Sequence, residues 1–181
     1  MPQRLSRIAI AALLWGMVYL PAHSAEPAKL AFVDTGNTGR SVTAEALAQA
    51  EIDKDHLAIA VISRALDPDP YAIKPEANAQ VLLRDRGIDV SAHRSAQLTE
   101  NDVRHSDLIL TMTAAHKEKL VALFPDAKAK TFTLAEYATG GHKDVEDAFG
   151  KDMAVYRAMF AQVDSYIGPA LAKAASLQKR D

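Results

Sequence analysis

The chain has 181 residues, enough for one domain with a full hydrophobic core, and its 49% hydrophobic and 24% charged residues exclude a disordered chain. The formal net charge of -2, with no long run of Lys and Arg, argues against a nucleic-acid partner. Cysteine is absent, which removes thiol nucleophiles, disulfides and thiolate metal sites together.

Arg4 and Arg7 precede an apolar run over residues 8–20 and a small-residue segment over 21–25. This is the three-part plan of a secretory signal peptide, and the apolar run is shorter than the roughly 20 residues of a membrane span. A signal peptide is therefore expected over 1–25 and a single domain over 26–181, periplasmic or secreted, with no membrane contact beyond the leader. Removal of Arg4 and Arg7 with the leader takes the charge from -2 to -4.

Leu30, Ala31, Phe32 and Val33 form a short apolar run that predicts a buried parallel strand. A Gly-containing turn follows, then a helix through Ala44, Leu47 and Ala48. Residues 57–62 are a second strand candidate, and Asp67-Pro68-Asp69-Pro70 is a loop. Pro75 suits the first turn of a helix that carries Val81, Leu82 and Leu83 and stops at Gly87. Thr99 and Asp102 form a capping pair for a short helix. Residues 108–112 predict a third strand, Thr113 a cap for a helix running to Phe124, and residues 131–134 a fourth strand. Met153, Tyr156, Phe160, Val163, Ile167 and Leu171 recur at helical spacing, with Pro169 expected to kink or interrupt that helix near Gly168. Alternating strands and helices predict an α/β fold: a single three-layer domain with a four-stranded parallel sheet and helices on both faces. Ligands sit at the carboxyl ends of such strands. That directs attention to the turn after Val33.

The turn reads Asp34-Thr35-Gly36-Asn37-Thr38-Gly39-Arg40-Ser41 and runs into a helix. Glycines allow tight backbone, and successive N–H groups with a helix N-terminus make an anion nest. Arg40 adds a planar fork for two phosphate oxygens. The same residues also fit a plain strand-to-helix turn with a solvated Arg. The Lys of a GxxxxGK nucleotide loop is missing.

The turn resembles the signature loop of the low-molecular-weight protein-tyrosine phosphatases: a nucleophilic Cys, five residues, Arg, then Ser or Thr. Arg40, Ser41, Gly36 and Asn37 match, and Asp34 stands where the nucleophile belongs. "KPEANAQVLLRDRGIDVSAHRSAQLT", "SDLILTMT" and "FTLAEYATGGHKDVEDAFG" resemble further family segments, so the likeness covers roughly Leu30 to Leu171. It implies the low-molecular-weight phosphatase fold. It also implies catalytic roles at the positions of Asp34 (nucleophile), Arg40 (phosphate clamp) and Asp147 (general acid). Thr35, Gly36, Asn37, Thr38, Gly39, Arg40 and Ser41 would hold phosphate, and Asn37, Ser41, Ser63 and His93 would brace the loop. The acid's "DPF" or "DPY" triplet is here Asp147-Ala148-Phe149, without its Pro. "TGNTGRS" with "TLAEYATG" looks closest to bacterial members, including phosphoarginine phosphatases, in which a Thr at the place of Thr38 favours the substrate guanidinium. A second Cys, often five residues after the first, is Gly39 here, which fits an oxidising compartment.

The resemblance implies a phosphate, phosphoprotein or phosphorylated small-molecule ligand, no cofactor, no metal and a monomer or weak dimer. A carboxylate at the floor of an anion nest repels phosphate and reaches less far than a thiolate. Thiolate-type dephosphorylation is thus expected to be lost or strongly reduced, leaving a pseudoenzyme or binder. The alternative is an active phosphomonoesterase acting on phosphotyrosine, phosphoarginine or a small aryl phosphate, with Asp34 as nucleophile through an acyl phosphate and Asp147 as acid. Gly36 stands where a haloacid-dehalogenase pattern needs a second Asp. Val33-Asp34-Thr35-Gly36 also resembles an aspartic-protease motif, but it runs into a helix rather than a β-domain. His105, His116 and His142 match no standard metal-ligand spacing and are expected as solvated surface residues.

Overall fold

The computed structural model describes residues 26–177, so the expected signal peptide lies outside the described residues. Within them, β1 (Ala28–Asp34), β2 (Ile59–Ala65), β3 (Leu108–Thr111) and β4 (Thr131–Thr133) form one sheet of order β2-β1-β3-β4, parallel throughout. The helices are α1 (Arg40–Asp55), α2 (Ala77–Arg84), α3 (Glu100–His105), α4 (Ala114–Leu123), α5 (Leu134–Thr139) and α6 (Met153–Ala174), with a 3₁₀ segment over Pro125–Lys130.

Alternation along β1 explains the layers. Leu30 and Phe32 point into one core with Leu47 of α1 and Met159, Val163 and Ile167 of α6. Ala31 and Val33 point into a second core with Val103 of α3 and Leu120 of α4. Both faces of the central strand are dry, as an all-parallel sheet requires. From β1 the chain crosses to β2 on one side and later to β3 on the other. That reversal is the topological switch point of the sheet, where the carboxyl ends of adjacent strands open a crevice.

Several elements differ from expectation in detail. β2 begins two residues later than residue 57 and continues to Ala65, because its carboxyl half pairs with the end of β1 through Asp34↔Ala65. Pro75 precedes the Glu76 N-cap of α2 rather than lying in its first turn, and Arg84 ends the helix before Gly87. α5 follows β4 directly, where sequence reading extended the strand to Leu134. Thr133 and Glu136 form a reciprocal capping box at its start. α6 is not interrupted at Pro169. Ile167, Ala170 and Leu171 are buried on either side of the proline, so packing against the sheet holds the helix together across the missing backbone donor. The caps at Thr99 and Thr113 form as expected, each accepting from the backbone three residues on.

Candidate active site

The crevice at the carboxyl end of β1 is built by residues 34–41. Asp34 ends the strand and is 3% exposed; α1 begins at Arg40 with Gly39 as its N-cap. The Asp34 carboxylate accepts from the Asn37 N–H at 2.6 Å and from the Ser41 N–H at 2.9 Å. Two donors of the loop are thus turned on the chain's own carboxylate. The loop wraps around the side chain of residue 34.

Asn37 makes that wrapping possible. It adopts φ 55°, a left-handed conformation that Asn tolerates better than most residues. Its side-chain N–H₂ donates to Ser41 Oγ at 3.0 Å and Ser63 Oγ at 2.8 Å, and its Oδ1 accepts from Ala96 N at 3.2 Å. His93 Nε2 lies 3.2 Å from the Asn37 carbonyl, and Ser95 Oγ donates to the Gly36 carbonyl at 2.7 Å. Ser41 at the end of the loop, Ser63 of β2 and His93 thus all meet Asn37, and Ser95 tethers Gly36. Ser63 in turn donates to Glu45 of α1. The Glu76 N–H donates to the Thr38 carbonyl at 2.9 Å, tying the loop to the start of α2.

Arg40 is nearly buried and points to the crevice, where its Nη2 lies 3.4 Å from Asp147 Oδ1. Asp147 sits at the exposed rim, and its Oδ1 also accepts from the Phe149 N–H at 3.2 Å. Asp34, Arg40 and Asp147 thus meet at one cavity of about 240 Å³, which Thr35, Gly36, Thr38 and Gly39 also line.

One residue contradicts its expected place. His116, read as a solvated surface histidine, is 9% exposed, and its Nε2 lies 2.8 Å from Thr35 Oγ1. His105 and His142 are exposed. The reason is tertiary: His116 lies in the first turn of α4, which packs beneath the loop, and nothing within α4 signals Thr35. Burial and the Arg40 charge push the His116 pKa below the ordinary histidine value, against the opposing pull of Asp34, Asp147 and Asp144. The ring is therefore neutral in the fold, and the unfolded chain takes up a proton at a higher pH than the folded one does. Stability is full above the unfolded histidine value, near pH 6.5, and falls as pH drops below it. Urea midpoints for the wild type should fall faster from pH 7 to pH 5 than those for His116→Gln. Equal slopes would show that His116 does not carry this dependence.

Two further residues escaped sequence reading. Glu76 and Tyr156 both face Gly39: a Cβ there would lie 3.1 Å from Glu76 Oε1 and 3.9 Å from the Tyr156 hydroxyl. Burial and the Glu76 carboxylate push the Tyr156 phenol well above its ordinary value, so it stays protonated. In the sequence Tyr156 is one member of the apolar stripe of α6, and no motif marks Glu76.

Residues 29–180 match the family model described as low molecular weight phosphotyrosine protein phosphatase. A protein-arginine-phosphatase of Geobacillus stearothermophilus is 36% identical over 141 residues, covering 78% of this chain and 92% of that protein. The low molecular weight protein-tyrosine-phosphatase PtpB of Staphylococcus haemolyticus is 35% identical, covering 77% and 95%. Among solved structures, the YwlE arginine phosphatase from Geobacillus stearothermophilus superposes with a TM-score of 0.76 at 33% identity, covering 84% of this chain and 96% of that one. A YwlE mutant from Bacillus subtilis gives the same TM-score of 0.76 at 33% identity, covering 81% and 97%. With its parallel sheet, its loop at the end of β1 and a match along nearly the whole described domain, the chain belongs to the low molecular weight phosphotyrosine protein phosphatase family.

Proposed function

We propose that this chain is an exported, non-catalytic member of its family, in which Asp34 serves as a fixed anion inside the loop rather than as a nucleophile. One observation carries the reading: the Asp34 carboxylate takes the Asn37 and Ser41 N–H bonds. A thiolate in that position would be held by the same donors and still present a lone pair to phosphorus. A carboxylate so held has both oxygens engaged and is weakened as a nucleophile, and it places a like charge against an incoming phosphate. Arg40, the clamp, is already paired with Asp147, the would-be acid.

Purified protein should hydrolyse an aryl phosphate no faster than buffer, with or without Mg²⁺. Turnover that disappears in Asp34→Asn would overturn this reading in favour of an Asp34 acyl-phosphate enzyme with Asp147 as acid. The arrangement that favours that second reading is Asp147 at the cavity rim beside Arg40, which a binder does not need.

Export rests on the Arg4 and Arg7, apolar and small-residue pattern of residues 1–25. Expression of the full chain in a two-membraned bacterial host should yield a periplasmic protein whose N-terminus begins near Glu26. An intact chain retained in the cytosol would refute it.

A further inference from the structure

Asp147 owes its place to residues other than Arg40. Residues 140–152 join α5 to α6 without a helix or strand. The Asp147 side chain is 62% exposed and meets Arg40 at 3.4 Å, and an exposed pair of that length contributes little to holding a backbone segment. The bonds that fix the segment lie on either side of Asp147.

Upstream, the Val145 N–H donates to the Met112 carbonyl at 2.9 Å, and Asp144 Oδ1 accepts from the Ala114 N–H at 2.8 Å. Val145 and Ala148 are buried. These contacts fasten the segment to the end of β3 and the start of α4. Downstream, the Gly150 N–H donates to Glu76 Oε2 at 3.0 Å, and the Asn78 side chain donates to the Lys151 carbonyl at 3.1 Å. Here the segment is fastened to the start of α2.

Glu76 differs from the other anchors because it also holds the loop. Its N–H donates to the Thr38 carbonyl at 2.9 Å. Its Oε1 lies against Gly39, where a Cβ would stand 3.1 Å away. That is closer than carbon atoms ordinarily pack, so the bare backbone of Gly39 is what admits the carboxylate. The same carboxylate accepts from the hydroxyl of Tyr156, which is buried in α6 and stays protonated. Glu76 therefore ties together the loop, the segment bearing Asp147 and α6. A side chain locked by several bonds can hold a neighbouring group to a fraction of an ångström, and a misplacement of about 1 Å costs about 10²-fold in rate.

We propose that Glu76 is the positioning residue of this site: it holds Asp147 beside Arg40 by fastening Gly150 to the loop at Thr38 and Gly39. It acts through Asp147 and not on a substrate. The inference rests on the reading of Asp34 as a replaced nucleophile, and it adds that the acid half of the site is still held in working order.

Two measurements test it. In the Asp34→Cys background, Glu76→Ala should lower kcat/KM for phenyl phosphate about tenfold, part of the share of a general acid. The loss for dinitrophenyl phosphate should stay under about threefold, because that leaving group departs without a proton. Glu76→Gln keeps an acceptor oxygen for the Gly150 N–H and should recover most of the phenyl phosphate loss. In the otherwise natural chain, a crystal structure of Glu76→Ala should show the Arg40–Asp147 pair open beyond roughly 4 Å, and that of Glu76→Gln should show it closed. Equal losses with both substrates, no recovery in Glu76→Gln, or a closed pair in Glu76→Ala would each overturn the positioning role. If Asp34→Cys has no activity, the reading of Asp34 fails by itself, and the two crystal structures still decide the role of Glu76.

Discussion

Asp34→Cys should raise aryl-phosphate hydrolysis by about 10³-fold or more in kcat/KM over the wild type. The expectation follows from how much of the site is independent of that side chain. The Asn37 N–H in the loop and the Ser41 N–H at the start of α1 point at it and would hold a thiolate as they hold the carboxylate. Donors and a helix N-terminus of this kind lower a thiol's pKa and keep it in its nucleophilic form. Arg40 and Asp147 already meet at the cavity. Loss of a nucleophile from a site that acts as a unit costs about 10⁶ in kcat, which sets the ceiling of the recovery. The acidic wall of Asp67, Asp69 and Glu76 opposes the substrate's charge and holds the gain well below that ceiling. A second substitution identifies the mechanism: Asp147→Asn in the Asp34→Cys background should remove about 10²-fold, the usual share of a general acid. No gain from Asp34→Cys would mean that the loop does not hold catalytic geometry, and the account of Asp34 as a replaced nucleophile would fail with it.

What could be read in the sequence divides along the range of the contacts involved. β1 and its turn were legible because an apolar run, a Gly-containing turn and a following helix are adjacent in the chain. The caps at Thr99 and Thr113 were legible for the same reason, since each bond spans three residues. The loop-bracing residues Ser63 and His93 carry no local signal, and only likeness to the family pointed to them. The structure brings Ser63 to Asn37 across 26 residues and His93 across 56. α5 did carry a local signal, the Thr133 and Glu136 box, which reading the segment as strand concealed. His116, Glu76 and Tyr156 could not be placed by any local pattern. His116 meets Thr35 from 81 residues away, and Glu76 at the N-cap of α2 and Tyr156 of α6 converge on Gly39. The resemblance located the phosphate-type loop, and the structure located the acids around it. A charge census of a pocket needs three dimensions, because Asp67, Asp69 and Glu76 read along the chain as loop and surface carboxylates and only Asp147 stood out, as the family's acid.

Asn37→Ala should destabilise the protein by about 3–5 kcal/mol, a large share of a typical domain's 5–15 kcal/mol. The Asn37 side chain is fully buried and makes three hydrogen bonds, to Ser41, Ser63 and Ala96. Truncation leaves those partners short of one bond each in a dry environment, at about 1 kcal/mol or more apiece. Alanine must also hold φ 55°, which costs about 1–2 kcal/mol more for a residue without a side chain able to hydrogen-bond locally. Asn37→Gly separates the two parts: it loses the same bonds but accepts the backbone, so it should be about 1 kcal/mol more stable than Asn37→Ala. Urea unfolding with an unchanged m-value reads both numbers, and a loss under about 1 kcal/mol for Asn37→Ala would refute the argument. The size of the effect bears on why the loop persists around Asp34. If Asn37 ties the carboxyl ends of β1 and β2 to the start of α1 at this energetic weight, the loop's conformation is required by the fold itself. Its survival beside a carboxylate then needs no selection for phosphate hydrolysis.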